Sequence, residues 1–121
     1  MSVELITLYI LLQIKHWYID FAAQTKNELE HKGIYGSMQG MTHSIKHGIA
    51  TLFCILAITG QAYFFYALIL AIIDIALHYH IDWAKTNYGE KDMTQRQFWN
   101  HLGLDQLAHQ ITYLFILTIV F

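Results

Sequence analysis

Four apolar runs separated by polar segments make up most of the chain. A helix needs about 20 predominantly apolar residues to cross a bilayer, and each run approaches that length. The pattern predicts an all-α fold, namely a four-helix transmembrane bundle that forms one integral membrane domain over residues 1–121. The predicted membrane helices cover about residues 3–23, 43–60, 62–84 and 104–121.

The polar segment between the first two runs predicts a short interfacial helix that ends where glycines begin at Gly33. Thr42 or Ser44 is the predicted cap of the second long helix, because a hydroxyl can accept a bond from a free N–H at a helix start. Gly60 lies between the second and third runs, which are separated by very few residues. This short connection predicts a tight turn and an antiparallel hairpin of these two helices.

The second polar loop contains the sequence Thr94-Gln95-Arg96-Gln97, which is typical of a capping box. It predicts a second short helix along the membrane surface, carrying Phe98 and Trp99 and ending before Gly103. The fourth membrane helix would then begin after that glycine.

The composition agrees with a membrane protein. Hydrophobic residues make up 55% of the chain and charged residues 13%, whereas soluble domains carry about 25% charged residues. A formal net charge of −2 provides no basic surface for nucleic acid. The first run carries Glu4 near its start and Lys15, His16 and Asp20 near its end, so we interpret it as a retained helix and not as a signal peptide.

The basic residues indicate the orientation of the bundle. All seven lie at or between the facing ends of the first two runs, or between the third and fourth runs. The positive-inside rule therefore places both charged loops in the cytoplasm and both termini outside, as expected for a protein of the bacterial inner membrane. The residues are Lys15, Lys26, Lys32, Lys46, Lys85, Lys91 and Arg96.

Each predicted helix carries a pair of polar residues four positions apart, which places both on one helix face. The pairs are His16/Asp20, His43/His47, His78/Asp82 and Asp105/His109. The topology brings all of them to the cytoplasmic end of the bundle, where facing helices can build a metal site. Imidazole and carboxylate are ligands of zinc, manganese and iron. These eight residues are therefore predicted to bind one or two divalent transition-metal ions.

The other ionisable residues fit this site less well. Asp74 lies one helical turn deeper in the membrane than His78. It would either support the metal ligands or belong to an ion pathway that leads further into the membrane. His80 is about 200° from His78 around the helix, so the two do not face one site. We expect His31, His80 and His101 to be solvated or interfacial.

The order of these motifs resembles the DUF3307 family of small membrane proteins of bacteria and their phages. The resemblance rests on His16-xxx-Asp20-Phe21-xx-Gln24, then His43 and His47, then His78-xxx-Asp82-xx-Lys85, then Asp105-Gln106-xx-His109. It implies that Gln24, Lys85 and Gln106 belong to the site, and it leaves open which of His43 and His47 corresponds to the family's loop-side histidine. The arrangement is also distantly similar to the YdjM-type membrane-bound metal-dependent hydrolases.

The leading functional hypothesis is a metal-dependent hydrolase at the cytoplasmic membrane interface. Asp20 or Asp82 would act as general base, and Gln24 and Lys85 would orient an anionic or carbonyl group. The bilayer is the expected partner, with a lipid or phosphoester as substrate and no nucleic acid. The pattern leaves the oligomeric state open.

Two alternatives use the same residues. Buried polar residues also line ion, proton or metal pathways in transporters, or form metal-sensing sites. The metal could instead only hold together a small structural bundle.

Overall fold

The computed structural model describes residues 2–121, and within that range the chain is helical with no strand. The predicted all-α fold is therefore confirmed. The elements are α1 (Val3–Trp17), a π-helical turn (Tyr18–Ala22), α2 (Lys26–His31), α3 (Met38–Thr59), a 3₁₀ turn (Gln61–Tyr63), α4 (Phe64–Tyr88) and α5 (Arg96–Val120).

The four long helices form a ring in which α3 and α5 each pack between α1 and α4. The tight turn expected at Gly60 joins α3 to α4, with φ at +80° in the left-handed region that suits glycine. The short α2 packs on α3 beside the end of the bundle where α1 ends and α3 begins.

The start of α3 differs from the prediction. The helix begins at Met38, and the Ser37 hydroxyl caps it by accepting from the Gly40 N–H at 3.5 Å. Thr42 and Ser44 are inside the helix, so their prediction as caps was wrong. The physical reason lies in Gly40, where an added β-carbon would come within 2.8 Å of the His31 carbonyl oxygen. This glycine permits close packing of α2 and does not break the helix.

The second loop also differs. The Thr94 hydroxyl donates to Asp92 at 2.7 Å and does not cap a helix, so the predicted capping box was wrong. Helix α5 begins at Arg96 and continues through Gly103 to Val120, and the predicted separate surface helix is its first part. A glycine inside a helix costs only about 1 kcal/mol, which the packing of a 25-residue helix outweighs.

Fully buried apolar side chains fill the half of the bundle toward the Gly60 turn. Helices α1, α3, α4 and α5 all contribute to this core, so it fixes their relative positions. Its members include Leu8, Leu12, Ile55, Ala67, Leu70, Tyr113, Ile116 and Leu117.

The outer faces of the ring are apolar as well. Large side chains on all four long helices are half or more exposed, for example Ile10 at 50%, Phe53 at 66%, Ile69 at 57% and Ile111 at 57%. Two helical segments, Met38–Thr59 and Gln61–Tyr88, are long and apolar enough to cross a membrane. Helix α1 has 15 residues and the first half of α5 is polar, so two of the four predicted spans meet that criterion.

Two glycines provide a matched test of helix packing. An alanine β-carbon at Gly48 would clash with the Ile75 side chain and lie 2.9 Å from the Ala71 carbonyl oxygen, whereas a β-carbon at Gly103 would meet nothing in residues 2–121 within 4 Å apart from its chain neighbours and the nearby backbone of its own helix. We expect Gly48→Ala to lower the free energy of unfolding by about 1–3 kcal/mol through overpacking of α3 against α4. Gly103→Ala should leave it unchanged or raise it slightly. Unfolding in mild detergent measures both, and equal effects would contradict this packing.

Candidate metal centre

The structure brings the eight predicted ligands together in the half of the bundle that lies away from the Gly60 turn. Each of the four long helices contributes to the cluster, and the π turn after α1 carries Asp20. The five histidines are at most 3% exposed. The cluster comprises His16, Asp20, His43, His47, His78, Asp82, Asp105 and His109.

Four of these residues form a compact group around Asp20. The Oδ1 atom of Asp20 lies 2.9 Å from Nε2 of His47, 3.0 Å from Nε2 of His43 and 3.6 Å from Nε2 of His78. The Nε2 atoms of His43 and His78 are 3.3 Å apart. Four ligands about 2.0–2.1 Å from a tetrahedral zinc ion would be roughly 3.3 Å from one another. This four-ligand group therefore has spacings close to those of a closed tetrahedral site, and both His43 and His47 face it.

A second group of three ligands lies beside the first. Nε2 of His109 is 3.3 Å from Oδ1 of Asp82 and 3.5 Å from Oδ1 of Asp105. The other oxygen of Asp82 lies 3.4–3.5 Å from Nε2 of His43 and His78, which joins this three-ligand group to the four-ligand group. Asp105 Oδ1 is buried and has no hydrogen-bond partner among residues 2–121. Its lone pairs are therefore available to a cation.

His16 supports both groups through hydrogen bonds. Its Nδ1 lies 2.8 Å from the Tyr113 hydroxyl, and its Nε2 lies 2.9 Å from Gln106 Oε1 and 3.2 Å from Asp20 Oδ2. The Gln106 amide in turn donates to Asp105 at 3.1 Å. With these partners, Nε2 of His16 carries the proton and Nδ1 accepts from Tyr113. To act as a ligand through Nε2, His16 would need the opposite tautomer.

A buried ion pair lies one layer below the cluster and gives Asp74 its partner. The Lys15 ammonium is 2.8 Å from Asp74 Oδ2, and the Thr51 hydroxyl donates to the same oxygen. The ammonium also donates to the His47 carbonyl at 3.3 Å and lies 3.3 Å from His47 Nδ1. Lys15 and Asp74 are 7% and 1% exposed. The pair therefore helps to hold His47 against Asp20.

Lys15 was predicted to mark the orientation and the retention of the first helix, but its contact with Asp74 was not predicted from the sequence. A signal was nevertheless present. Lys15 directly precedes His16, and Asp74 comes one turn before His78, so the two charges flank the ligands of two helices that face each other across the ring.

Lys32, also missed, reaches the cluster from the end of α2. Its ammonium lies 3.2 Å from Asp82 Oδ2, and the residue is 8% exposed. Gly33 permits this approach, because a β-carbon there would lie 2.6 Å from the Thr86 side chain. Gly33, which was predicted to follow the end of a short helix, thus also permits close packing of this segment over the cluster.

A second ion pair fixes α2 in place. Glu28 pairs with Lys46 of α3 and also accepts from the Thr25 N–H at 2.9 Å, which completes a capping box at the start of α2. Burial alone would raise the pKa of the Glu28 carboxyl, but its hydrogen bonds with Lys46 and the Thr25 N–H, together with the charge of Lys46, outweigh burial and hold the pKa below the usual value.

The cluster carries an excess of negative charge. Asp20, Asp82 and Asp105 provide three carboxylates, and Lys32 is the one ammonium in contact with them among residues 2–121. With neutral histidines, two negative charges are left, because Lys15 and Asp74 neutralise each other. Buried charges without partners are costly, and one divalent cation would balance this excess.

The other residues predicted for the site lie at its edge. The Gln24 amide donates to the Asp20 carbonyl at 2.8 Å. Lys85 is half-buried, and its side chain makes no hydrogen bond or ion pair within residues 2–121. Their roles with a substrate stay predictions. His31, His80 and His101 lie outside the cluster, where they contact Asn27, Ala76 and Glu90.

The family model described as "Protein of unknown function (DUF3307)" matches residues 6–121. No curated protein and no solved structure matches the chain.

Removing one member of the Lys15–Asp74 pair should destabilise the protein strongly, whereas removing both should cost much less. We expect Asp74→Leu to lower the free energy of unfolding by about 3–5 kcal/mol, because it leaves the Lys15 ammonium buried and unpaired. The double variant Lys15→Met/Asp74→Leu should recover most of that loss. As a control, Lys26→Met removes an exposed pair with Glu30 at 3.7 Å and should change the free energy by less than about 1 kcal/mol. Additive losses in the double variant, measured by denaturant unfolding in detergent, would show that the two groups are not coupled.

Proposed function

The chain belongs to the DUF3307 family, and we propose that it is a membrane-embedded metal-dependent hydrolase that acts at the cytoplasmic membrane interface. The observation that carries the proposal is the convergence of His and Asp side chains from all four long helices and the π turn on one group of four and two groups of three possible ligands, of which one is His16, His78 and His109.

Metal binding is supported by spacing and by charge. The four-ligand group has the inter-ligand distances expected of a tetrahedral ion. Neutral imidazole and carboxylate suit zinc, manganese or iron, and a divalent ion offsets the uncompensated carboxylate charge. We assign the ion that balances this charge to the four-ligand group, and a second ion in the three-ligand group would be balanced by a bound hydroxide and an anionic substrate.

Hydrolysis is supported by the incompleteness of the three-ligand group. Catalytic zinc sites commonly have three protein ligands and leave one position for water or substrate. A metal ion in such a site lowers the pKa of its bound water and supplies a nucleophile near neutral pH. Asp82 directs Oδ1 toward His109 and Oδ2 toward the Lys32 ammonium, so it would act as general base through Oδ2 once Lys32 turns from it to the substrate. The Lys32 ammonium would then stabilise negative charge that develops on the substrate.

Membrane insertion is supported by the apolar outer faces of the ring and by the two helices long enough to cross. In the proposed topology α1 and α5 complete a four-span bundle. The two charged loops lie together at the end of the bundle that holds the cluster, so the positive-inside rule orients this end to the cytoplasm and both termini outward. The inner membrane of a bacterium is the proposed location.

The closed geometry of the four-ligand group favours one second candidate, a structural bundle held together by metal. An ion or proton pathway is less well supported than either of these, because no polar path leads through the rest of the bundle within residues 2–121. Directly below the Lys15–Asp74 pair, the bundle is filled by fully buried apolar side chains that include Leu12, Ile55 and Leu70.

Metal content tests the first part of the proposal. Protein purified in mild detergent should contain one or two transition-metal ions per chain by mass spectrometry. His78→Ala should remove at least half of the metal, because His78 lies within reach of both groups. His80→Ala, on the same helix but outside the cluster, is the matched control and should change nothing. Protein without stoichiometric metal, with no effect of His78→Ala, would refute metal binding.

Metal chelation distinguishes the hypothesis of an enzyme from that of a purely structural bundle. EDTA should lower the unfolding temperature of the wild type and of Asp105→Asn, in which the four-ligand group is intact. It should have little effect on Asp20→Asn, which lacks the carboxylate of that group. Asp105→Asn should reduce hydrolysis of a panel of carboxylic and phosphoric esters by about 10²-fold or more, since it removes a ligand of the open group. A wild type inactive on every ester in the panel would favour the structural bundle.

A further inference from the structure

Two surface cavities next to the metal centre share one wall residue, Lys85. The first is a groove of about 390 Å³ between α4 and α5, lined mainly by apolar side chains such as Ile81, Leu104 and Ala108. The second is a cavity of about 330 Å³ that contains Lys32, Lys85 and Lys91. An apolar channel and a cationic pocket therefore meet at Lys85.

The groove is lined by a residue of the three-ligand group, and the pocket is lined by a residue in contact with that group. These residues are Asp105 in the groove and, in the pocket, Lys32, whose ammonium lies 3.2 Å from Asp82. A molecule that occupied both cavities would extend past the position left open by the three protein ligands.

Two of the three lysines of the pocket differ from the other lysines of the chain in their partners. Lys15, Lys32, Lys46 and Lys26 each pair with a carboxylate. Within residues 2–121, Lys85 and Lys91 have no side-chain ion pair, although Lys85 is half-buried. Two positive charges in one pocket thus lack a protein counter-ion.

One acidic residue lines the same pocket, but its carboxylate is engaged elsewhere. Glu90 Oε1 accepts from the backbone N–H groups of Lys91 and Asp92 at 2.8 and 3.0 Å. These bonds hold the carboxylate to its own loop, and the charge of the pocket remains positive.

From this juxtaposition we infer that the protein binds an anionic phospholipid, with the phosphate headgroup in the pocket between Lys85 and Lys91 and an acyl chain in the α4/α5 groove. Lysine is a common ligand for phosphate, which it recognises as a point charge. The apolar groove excludes a free phosphate ion as the full occupant and requires a hydrocarbon chain on the same molecule. Under the proposed function, on which this extension rests, the bound lipid is the substrate.

The binding itself does not depend on metal, so the two ideas can fail separately. Full-length protein in mild detergent is titrated with a fluorescent phosphatidate in three forms, namely wild type, Lys85→Gln/Lys91→Gln and Lys26→Gln. We expect the double variant to bind about tenfold more weakly and Lys26→Gln, which lies outside the pocket, to match the wild type. The double variant should retain the metal content of the wild type.

Competitors identify the ligand. Dioleoyl phosphatidate should displace the probe at concentrations at which dioleoyl phosphatidylcholine and inorganic phosphate do not. Ala108→Phe, which fills the groove, should weaken binding of phosphatidate. Equal displacement by phosphatidylcholine, full displacement by inorganic phosphate, or unchanged affinity in the double variant would overturn the inference. Phosphatidate binding that persists in EDTA-treated wild type would uphold the inference even if the untreated protein contained no metal.

Discussion

The burial of three carboxylates inside a bundle with apolar outer faces is the constraint on which the rest of this structure depends. Asp20, Asp82 and Asp105 are acceptable there only because imidazole and ammonium groups surround them. Since one helix cannot supply so many partners, every long helix contributes some. The cluster thereby holds the four long helices together at the end of the ring that the apolar core does not reach.

The bundle is accordingly built in layers. Apolar side chains fill the end near the Gly60 turn, and the Lys15–Asp74 pair lies between them and the cluster. The α2 segment then covers the cluster, with Lys32 directed inward and Glu28 held by Lys46. Each layer satisfies the polar groups of the next, so the charged residues support the geometry of the ligands as well as their chemistry.

The sequence revealed the cluster because its signal is local. Pairs four residues apart, such as His78 and Asp82, must share a helix face, and the alternation of the helices brings those faces together. Lys15 and Lys32 were missed because their partners are 59 and 50 residues away, and no helical period links them. The positions of two glycines were also misinterpreted, because the contacts around them are not local. In a sequence, a glycine indicates the end of a helix. In the structure, Gly40 instead permits close packing of α2 on α3, and Gly103 lies inside the long helix α5.

The central claim is that His and Asp side chains from four helices hold metal. X-ray absorption spectroscopy of the protein purified in detergent tests it most directly, because the spectrum reports the ligands of the bound ion. A shell of nitrogen and oxygen atoms at about 2.0–2.1 Å is expected if the ion is zinc, with outer scattering from three imidazole rings if only the four-ligand group is occupied, or from about two per ion if both groups are. A spectrum without imidazole scattering, or purified protein with no metal edge at all, would contradict the claim.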